Sequence, residues 1–440
     1  MDFNGQDNYN NQNQVNNLLP DRTEMECEEL FAQADRLLND GVIMDAVDKL
    51  SQILKRNPRF GKAYNHLGWV YETKYKNMQR AEEYYKAAIE YAPYYTAPYL
   101  NYAYFLSNQG RFEELKPHLD RTAQIPGIAK DTIANEYATM YEMTGNLQKA
   151  IEHFDKSIEK DPNFALPYTG LADSHQLLAE YGAAAPRESF PKAKEAVKKA
   201  LEIDDQSAEA HTALAYAQAF YDWNWTGAEN SFKRAIELNP NYATAHQWYA
   251  EYLIAMGRFD EARTEFERAL EVEPVSPIIL SDLAALYDHL NNAEQEIEQA
   301  RKVIEIDPNF AYGYFYLGLG LERKGMDAEA SETLAKTMIL FGEPPECAEE
   351  VKAAFAENGM KGWWQKRLEQ IETRPHLKNF QAYHKALVKI RLGDKEGTLE
   401  ALNQAFERKD RLIINAKYEP RLEPLRQDSR FQDLLRRMGL

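Results

Sequence analysis

Two cysteines in 440 residues, Cys27 and Cys347, are too few and too far apart to frame a disulfide scaffold or a cysteine-ligated metal site, and they point to a reducing compartment. No run of about 18 apolar residues occurs, so no membrane-spanning helix is expected. Positive charge is in deficit. Lys and Arg number 52 against 70 Asp and Glu, a formal net charge of −18. That balance opposes nucleic-acid binding, which draws its affinity from basic residues that displace counterions. Also missing are a His-Glu-x-x-His or Cys-x-x-Cys pattern and a Gly-x-x-x-x-Gly-Lys phosphate loop. Gly313, Gly318 and Gly320 fall inside a helical pattern without a preceding strand, so they make no dinucleotide fingerprint. The nine histidines are scattered, and the many carboxylates read as a solvated acidic surface. No cofactor, no metal and no enzymatic activity are expected.

What the chain has is a beat. Asp161-Pro162-Asn163-Phe164-Ala165 recurs unchanged at Asp307–Ala311, with the edited form Asn239-Pro240-Asn241-Tyr242-Ala243 between them. Pro58, Pro93, Pro126, Pro162, Pro240, Pro274 and Pro308 are spaced by 35, 33, 36, 78, 34 and 34 residues. The long gap holds two units, because Asp205 stands where a proline would fall. A repeat near 34 residues is one supersecondary unit that buries its apolar face by stacking on copies of itself.

Each unit reads as a helical hairpin. In Ala243–Pro274, His246, Tyr249, Ala250 and Leu253 share one helix face. Gly257 ends that helix, and Ala262, Phe266, Ala269 and Leu270 line a second one closed by Pro274. Small Ala250 and Ala262 let the two helices cross closely. His211 and His246 occupy a position held elsewhere by Tyr64, Tyr99, Tyr168 and Tyr314, and are expected in the core. Three places depart from the pattern. Pro117 is expected in the first turn of its helix. Glu296 and Ala300 stand where Ala and an aromatic belong. The 43-residue unit from Pro162 carries extra length at Ala179–Phe190, which Pro186 and Pro191 mark as a loop.

These residues resemble the tetratricopeptide repeat family. Its small eighth residue is matched by Gly68, Ala103, Ala138, Ala172, Ala215, Ala250, Ala284 and Gly318; its fifteenth Gly by Gly41, Gly110, Gly145, Gly257 and Gly325; its twentieth Ala by Ala46, Ala81, Ala150, Ala193, Ala228, Ala262 and Ala330. The resemblance implies an all-α, right-handed superhelical solenoid of stacked antiparallel helix pairs. Nine repeats are expected within residues 23–341, after an Asn/Gln-rich tail over 1–22 expected to be disordered and to carry no secretory signal. A degenerate helical pair with Trp363-Trp364 follows over 342–378, and a degenerate repeat over 379–440 closes with a capping helix begun by a Ser429/Gln432 capping box.

Function is expected at the concave groove, which the family lines with its first helices. Carried over residue by residue, the groove positions are Asn65, Trp69, Tyr104, Asn135, Thr139, Asp173, Tyr216, Gln247, Glu251, Ser281, Asp288, Tyr312, Phe315 and Glu322. Aromatics supply contact area and amides bond a peptide backbone. Asn65 and Trp69 replace the Lys and Asn that some relatives use to clamp a C-terminal carboxylate. Asp222-Trp223-Asn224-Trp225 reads as a staple between the helices of its hairpin. Residues 407–440 hold nine Lys or Arg against six Asp or Glu, read as a solvated helix end.

Residues 150–440 also look like the C-terminal repeat region of bacterial signalling and transcription-regulator proteins, from Asp222–Trp225 through His246–Ala250 to Phe431–Arg437. The resemblance implies a bacterial, cytoplasmic protein with a docking or sensing role and no effector domain. The expected function is a non-enzymatic scaffold or adaptor for a protein or peptide partner. The alternative is a structural protein that self-associates into homo-oligomers or filaments.

Overall fold

The computed structural model describes residues 22–374, 377 and 381–440, which form α-helices and short turns with no strand. The Asn/Gln-rich tail lies outside the described residues, Arg22 excepted. The chain divides into two compact units, one ending at Met140 and the other running Tyr141–Leu440.

In unit 1 the helices pair as Arg22–Asn39 with Ile43–Arg56, Gly61–Thr73 with Met78–Tyr91, and Ala97–Asn108 with Phe112–Thr122. In unit 2 they pair as Leu166–Glu180 with Pro186–Ile203, Ala208–Ala217 with Trp225–Leu238, Ala243–Ala255 with Phe259–Val272, Pro277–His289 with Ala293–Ile306, and Ala311–Arg323 with Asp327–Leu340.

The small residues of the beat sit at the crossings. Ala103, Ala172, Ala215, Ala250 and Ala284 of the first helices are fully buried, as are Ala46, Ala81, Ala193, Ala228, Ala262 and Ala330 of the second. Where the eighth residue is Gly, approach is closer still. A Cβ on Gly68 would lie 2.7 Å from the Tyr85 ring, and one on Gly318 2.6 Å from Leu334. The turn between paired helices needs a left-handed residue whatever its side chain. Gly110 and Gly257 provide it freely, but Lys76, Trp223 and Asn291 adopt the same positive φ, with 52°, 59° and 55°.

The prolines of the beat have partners. Tyr64, Tyr99, Tyr168 and Tyr314 each donate a hydroxyl to the carbonyl of the Pro six residues earlier, at 3.1–3.2 Å. His246 does the same to Pro240 at 2.9 Å, and His211 to Asp205 at 3.1 Å. This bond ties the end of one hairpin to the start of the next. It explains why Tyr and His share a position.

Three local expectations need correction. Pro117 is the sixth residue of Phe112–Thr122, not in its first turn; fully buried Leu115 and Leu119 hold the helix across the missing N–H. The extra length after Ala179 is mostly helix, because Pro186 begins Pro186–Ile203 where no N–H is needed and Pro191 lies inside it. The final helix, Ser429–Arg437, is capped by Asp428, whose carboxylate accepts the Arg430 N–H at 2.9 Å; Ser429 is its first helical residue. Glu296, which departs from the pattern as read, is fully buried and pairs with Arg323.

Beyond the repeats, Pro345–Thr373 is two helical stretches broken at Asn358 and Gly359, the latter at φ 58° and ψ −157°. Ala382–Arg391 pairs with Lys395–Arg408. The chain then runs through the 3₁₀ turns Arg411–Lys417 and Pro420–Leu425 into Ser429–Arg437. This C-terminal segment turns back onto unit 2. Trp225 donates its indole N–H to the Met438 carbonyl at 2.9 Å, and Gln381 donates its amide to the Glu180 carbonyl at 3.1 Å. The ring of Trp223 packs on Phe406 with Lys409 Nζ 3.3 Å from its centroid. Trp223 and Trp225 therefore staple the C-terminal segment to a repeat, rather than the two helices of one hairpin. Phe431, Leu434, Leu435 and Met438 bury the apolar stripe of the last helix.

Candidate functional site

The residues carried over as a groove behave differently in the two units. In unit 1, Trp69 and Tyr104 are 37% and 41% exposed, large apolar side chains on a solvent face. Lys74 Nζ lies 5.3 Å from the Trp69 ring centroid. Thr139 is half-buried. Asn65 and Asn135 are buried; Asn65 braces a neighbouring helix, and Asn135 bonds within its own. Asn65 accepts the Asn101 amide at 3.0 Å, and Asn135 donates to Glu136 at 3.3 Å. Burial lifts the Glu136 carboxyl to about 7. The Tyr104 hydroxyl is pushed up to about 12 by desolvation and by Glu136 and Asp131. The accessible part of this face is aromatic with an acidic margin.

In unit 2 the same face is covered. Tyr216 is buried and donates its hydroxyl to Glu180 at 2.7 Å. Gln247 is buried and donates to Asp282 at 2.6 Å. Ser281 is buried against its own helix, donating to the Pro277 carbonyl at 2.8 Å. Glu251 meets Arg411, which also reaches Glu180 at 3.1 Å. Asp288 meets both Arg421 and Arg323. Burial opposes its charge, but the two guanidiniums hold its carboxyl well below the usual carboxylate range. Glu322 accepts the Trp364 indole N–H at 2.6 Å, with Arg391 Nε 3.7 Å away and its guanidinium 4.5 Å from the Trp364 ring centroid. Tyr312 and Phe315 face the same interior. Asp173 stands apart from this segment. One of its carboxyl oxygens is buried without a hydrogen-bond partner among the described residues, and burial together with Glu142 and Glu209 raises the group well above the carboxylate range.

Among the described residues the first-helix face of unit 2 is therefore covered from Tyr216 to Glu322, and the reason is charge. The acidic first-helix face, with Glu180, Glu251, Asp288 and Glu322, meets Arg391, Arg411 and Arg421 from the C-terminal segment. The basic end read as a solvated helix supplies two of these arginines. Its net excess of Lys and Arg was the available signal, but nothing in the spacing of the sequence says where Arg411 or Arg421 lands. Among the described residues no group of three or more His, Cys, Asp or Glu is placed to hold a metal ion. No helix among them is long and apolar enough to cross a membrane.

Comparison with known proteins agrees with the repeat geometry. Tetratricopeptide repeat descriptions match residues 31–96, 224–286 and 279–310. Interferon-induced protein with tetratricopeptide repeats 2 of Cricetulus griseus is 29% identical over 192 residues, 41% of this chain and 39% of that protein. Transcriptional regulator HilA of Salmonella typhimurium is 27% identical over 129 residues, 29% of this chain and 23% of that protein. The chain thus spans well under half the length of these curated relatives. Among solved structures, a monomeric IFIT1 mutant with Gppp-AAAA shares the fold at a TM-score of 0.51 and 17% identity, covering 82% of this chain and 90% of that one. The paired helices, buried crossing alanines and left-handed turn residues of this chain accompany those matches, which identify tetratricopeptide repeats over residues 31–96 and 224–310.

Proposed function

We propose that the chain is a non-enzymatic scaffold whose protein or peptide partner docks on the first-helix face of unit 1. Repeat arrays of this family are typical protein-binding scaffolds. The observation that supports this placement is the exposure of Trp69 and Tyr104, against the burial of Tyr216, Gln247, Ser281 and Asp288 in unit 2. Exposed aromatic side chains supply large contact area for little lost rotamer freedom, and such residues dominate interface energies. Thr139 is a further accessible contact of the same face.

The test is capture from native lysate with the full chain, read by mass spectrometry, beside the double variant Trp69→Ala/Tyr104→Ala. Losing both anchors should weaken a partner by about 2 kcal/mol or more, roughly thirtyfold in Kd. Both side chains are accessible, so the melting temperature should barely change, in line with about 0.5 kcal/mol for surface substitutions. Undiminished capture by the variant, or recovery of the chain alone, would refute the reading.

A further inference from the structure

The C-terminal segment covers the first-helix face of unit 2 without filling it. A cavity of about 640 Å³ remains. Small-molecule sites span roughly 300–1,000 Å³. Tyr312, Phe315 and Tyr316 contribute from a repeat helix, and Tyr383, His384 and Leu387 from the C-terminal segment.

The charges around it do not cancel. Six carboxylates and four guanidiniums line the cavity. Every one of those arginines already has a carboxylate. Arg367 grips Glu343 with two bonds of 2.6 Å, Arg391 faces Glu322, and Arg421 holds Asp288 and Glu419. At the remaining end Glu180 and Glu251 share the single guanidinium of Arg411, with Asp282 beside them. Asp282 receives the Gln247 amide, and among the described residues no ion pair reaches it. Tyr181 and Tyr312 flank this corner. Burial raises the Asp282 carboxyl well above its ordinary value, and Glu251 adds to the rise.

A second observation is independent of charge. Tyr383 and Trp363, 3% and 2% exposed, stand on the cavity wall. Tyr383 Oη and Trp363 Nε1 have no hydrogen-bond partner among the described residues. An unmet buried donor costs about 1–3 kcal/mol, so native proteins seldom leave one.

We propose that this cavity binds a small organic cation: an aromatic or alicyclic body whose basic or quaternary nitrogen seats against Asp282, Glu251 and the tyrosine faces, with a hydrogen-bond acceptor elsewhere on the molecule. Tyrosine faces attract cations through their ring quadrupole, most strongly where water is excluded. An anion would find each arginine taken and three carboxylates at one end. Burial and Glu251 hold Asp282 towards its neutral acid form; a cation seated against it favours the carboxylate, and a neutral molecule gains nothing from it. This site is separate from the docking face of unit 1 and stands whether or not that reading holds.

Equilibrium dialysis of the full chain against the cation N-methylacridinium-9-carboxamide, whose amide oxygen supplies the acceptor, with acridine-9-carboxylate as an anion of similar shape, tests it. The cation should bind at one site per chain, at least about tenfold tighter than the anion. It should quench tryptophan emission, because Trp363 and Trp364 line the cavity. Asp282→Asn should weaken the cation roughly tenfold. Phe341→Ala, which trims a half-exposed wall residue packed 5.2 Å from Tyr312, should also weaken it and does not depend on a buried substitution folding. Trp69→Ala should leave it unchanged. Equal binding of cation and anion, no binding of the cation, or full binding by both Asp282→Asn and Phe341→Ala would overturn the proposal.

Discussion

Units 1 and 2 are built from one repeat, with the same buried alanines and the same left-handed turns, yet they treat their first-helix faces differently. Trp69 and Tyr104 stay accessible in unit 1. In unit 2 Tyr216 and Asp288, carried over from the same family pattern, keep 1% and 2% exposure because the chain's own last residues lie on them. Repeat identity therefore does not decide which surface is free. What decides it in unit 2 is a set of carboxylates on the first helices facing arginines that come from 391 onward. The difference is electrostatic in origin, and it can be broken at single residues.

The largest effect should come from Arg411→Leu. The guanidinium is 17% exposed and neutralises Glu180 and Glu251, which are 20% and 15% exposed. Removing one member of a buried pair leaves the other charge uncompensated, at a cost of about 3–5 kcal/mol. Urea unfolding followed by circular dichroism should show that loss, and Glu180→Gln/Glu251→Gln in the same chain should restore much of it. A loss below about 1 kcal/mol would mean that Arg411 does not hold the segment in place.

A matched glycine pair sharpens the comparison. Gly110 in unit 1 and Gly257 in unit 2 occupy the same turn position, with φ of 65° and 73°. A Cβ on Gly110 meets nothing within 4 Å, whereas one on Gly257 would lie 2.4 Å from the Tyr418 ring. Gly110→Ala should cost only the left-handed backbone strain, roughly 1–2 kcal/mol. Gly257→Ala should cost about 1–2 kcal/mol more, because Tyr418, packed edge-on against Phe259, must shift. Equal losses by thermal melting would show Tyr418 to be only loosely seated.

The contrast also explains what could be read in the sequence. The beat, the crossing alanines and the core role of His246 depend on residues within one or two repeats, so spacing reveals them. Both His246 ring nitrogens are bonded, to Pro240 and to Glu265, and its tyrosine counterparts make the first of those bonds too. The closure of unit 2 joins Arg411 to Glu251 across 160 residues and Arg421 to Asp288 across 133. No period links such positions, and the repeat pattern has faded by Phe341. Asn65 and Asn135 mislead for a different reason. Their position in the hairpin faces the groove in the family, but here Asn101 of a neighbouring helix takes up the Asn65 amide and Glu136 of its own helix that of Asn135, and a one-letter pattern does not distinguish a contact within the array from a contact with a partner.

The smallest predicted effect concerns a feature that the two units share. Glu82 accepts from Tyr102 at 2.9 Å and from Arg111 at 2.7 Å, 20 and 29 residues on; Glu229 accepts from Tyr249 at 3.2 Å and from Arg258 at 2.7 Å at the same separations. Lys86 and Lys233 complete the two clusters at 2.6 and 2.9 Å. Arg111 holds Glu82 at about 2; for Glu229 burial pushes upward, but Arg258 and Lys233 outweigh it and the carboxyl again sits at about 2. Each folded value lies below the ordinary 4.5, so each cluster contributes stability that is present above pH 4.5 and is lost as pH falls through about 2. Both carboxylates are near the surface, so Glu82→Gln and Glu229→Gln should each cost only about 0.5–1 kcal/mol at neutral pH. The cost should shrink towards zero by pH 2, and the two variants should agree to within about 0.5 kcal/mol. A much larger loss for Glu229→Gln would mean that the C-terminal segment stiffens unit 2 beyond the face it covers, and the units would then differ in their repeats as well as in what lies on them.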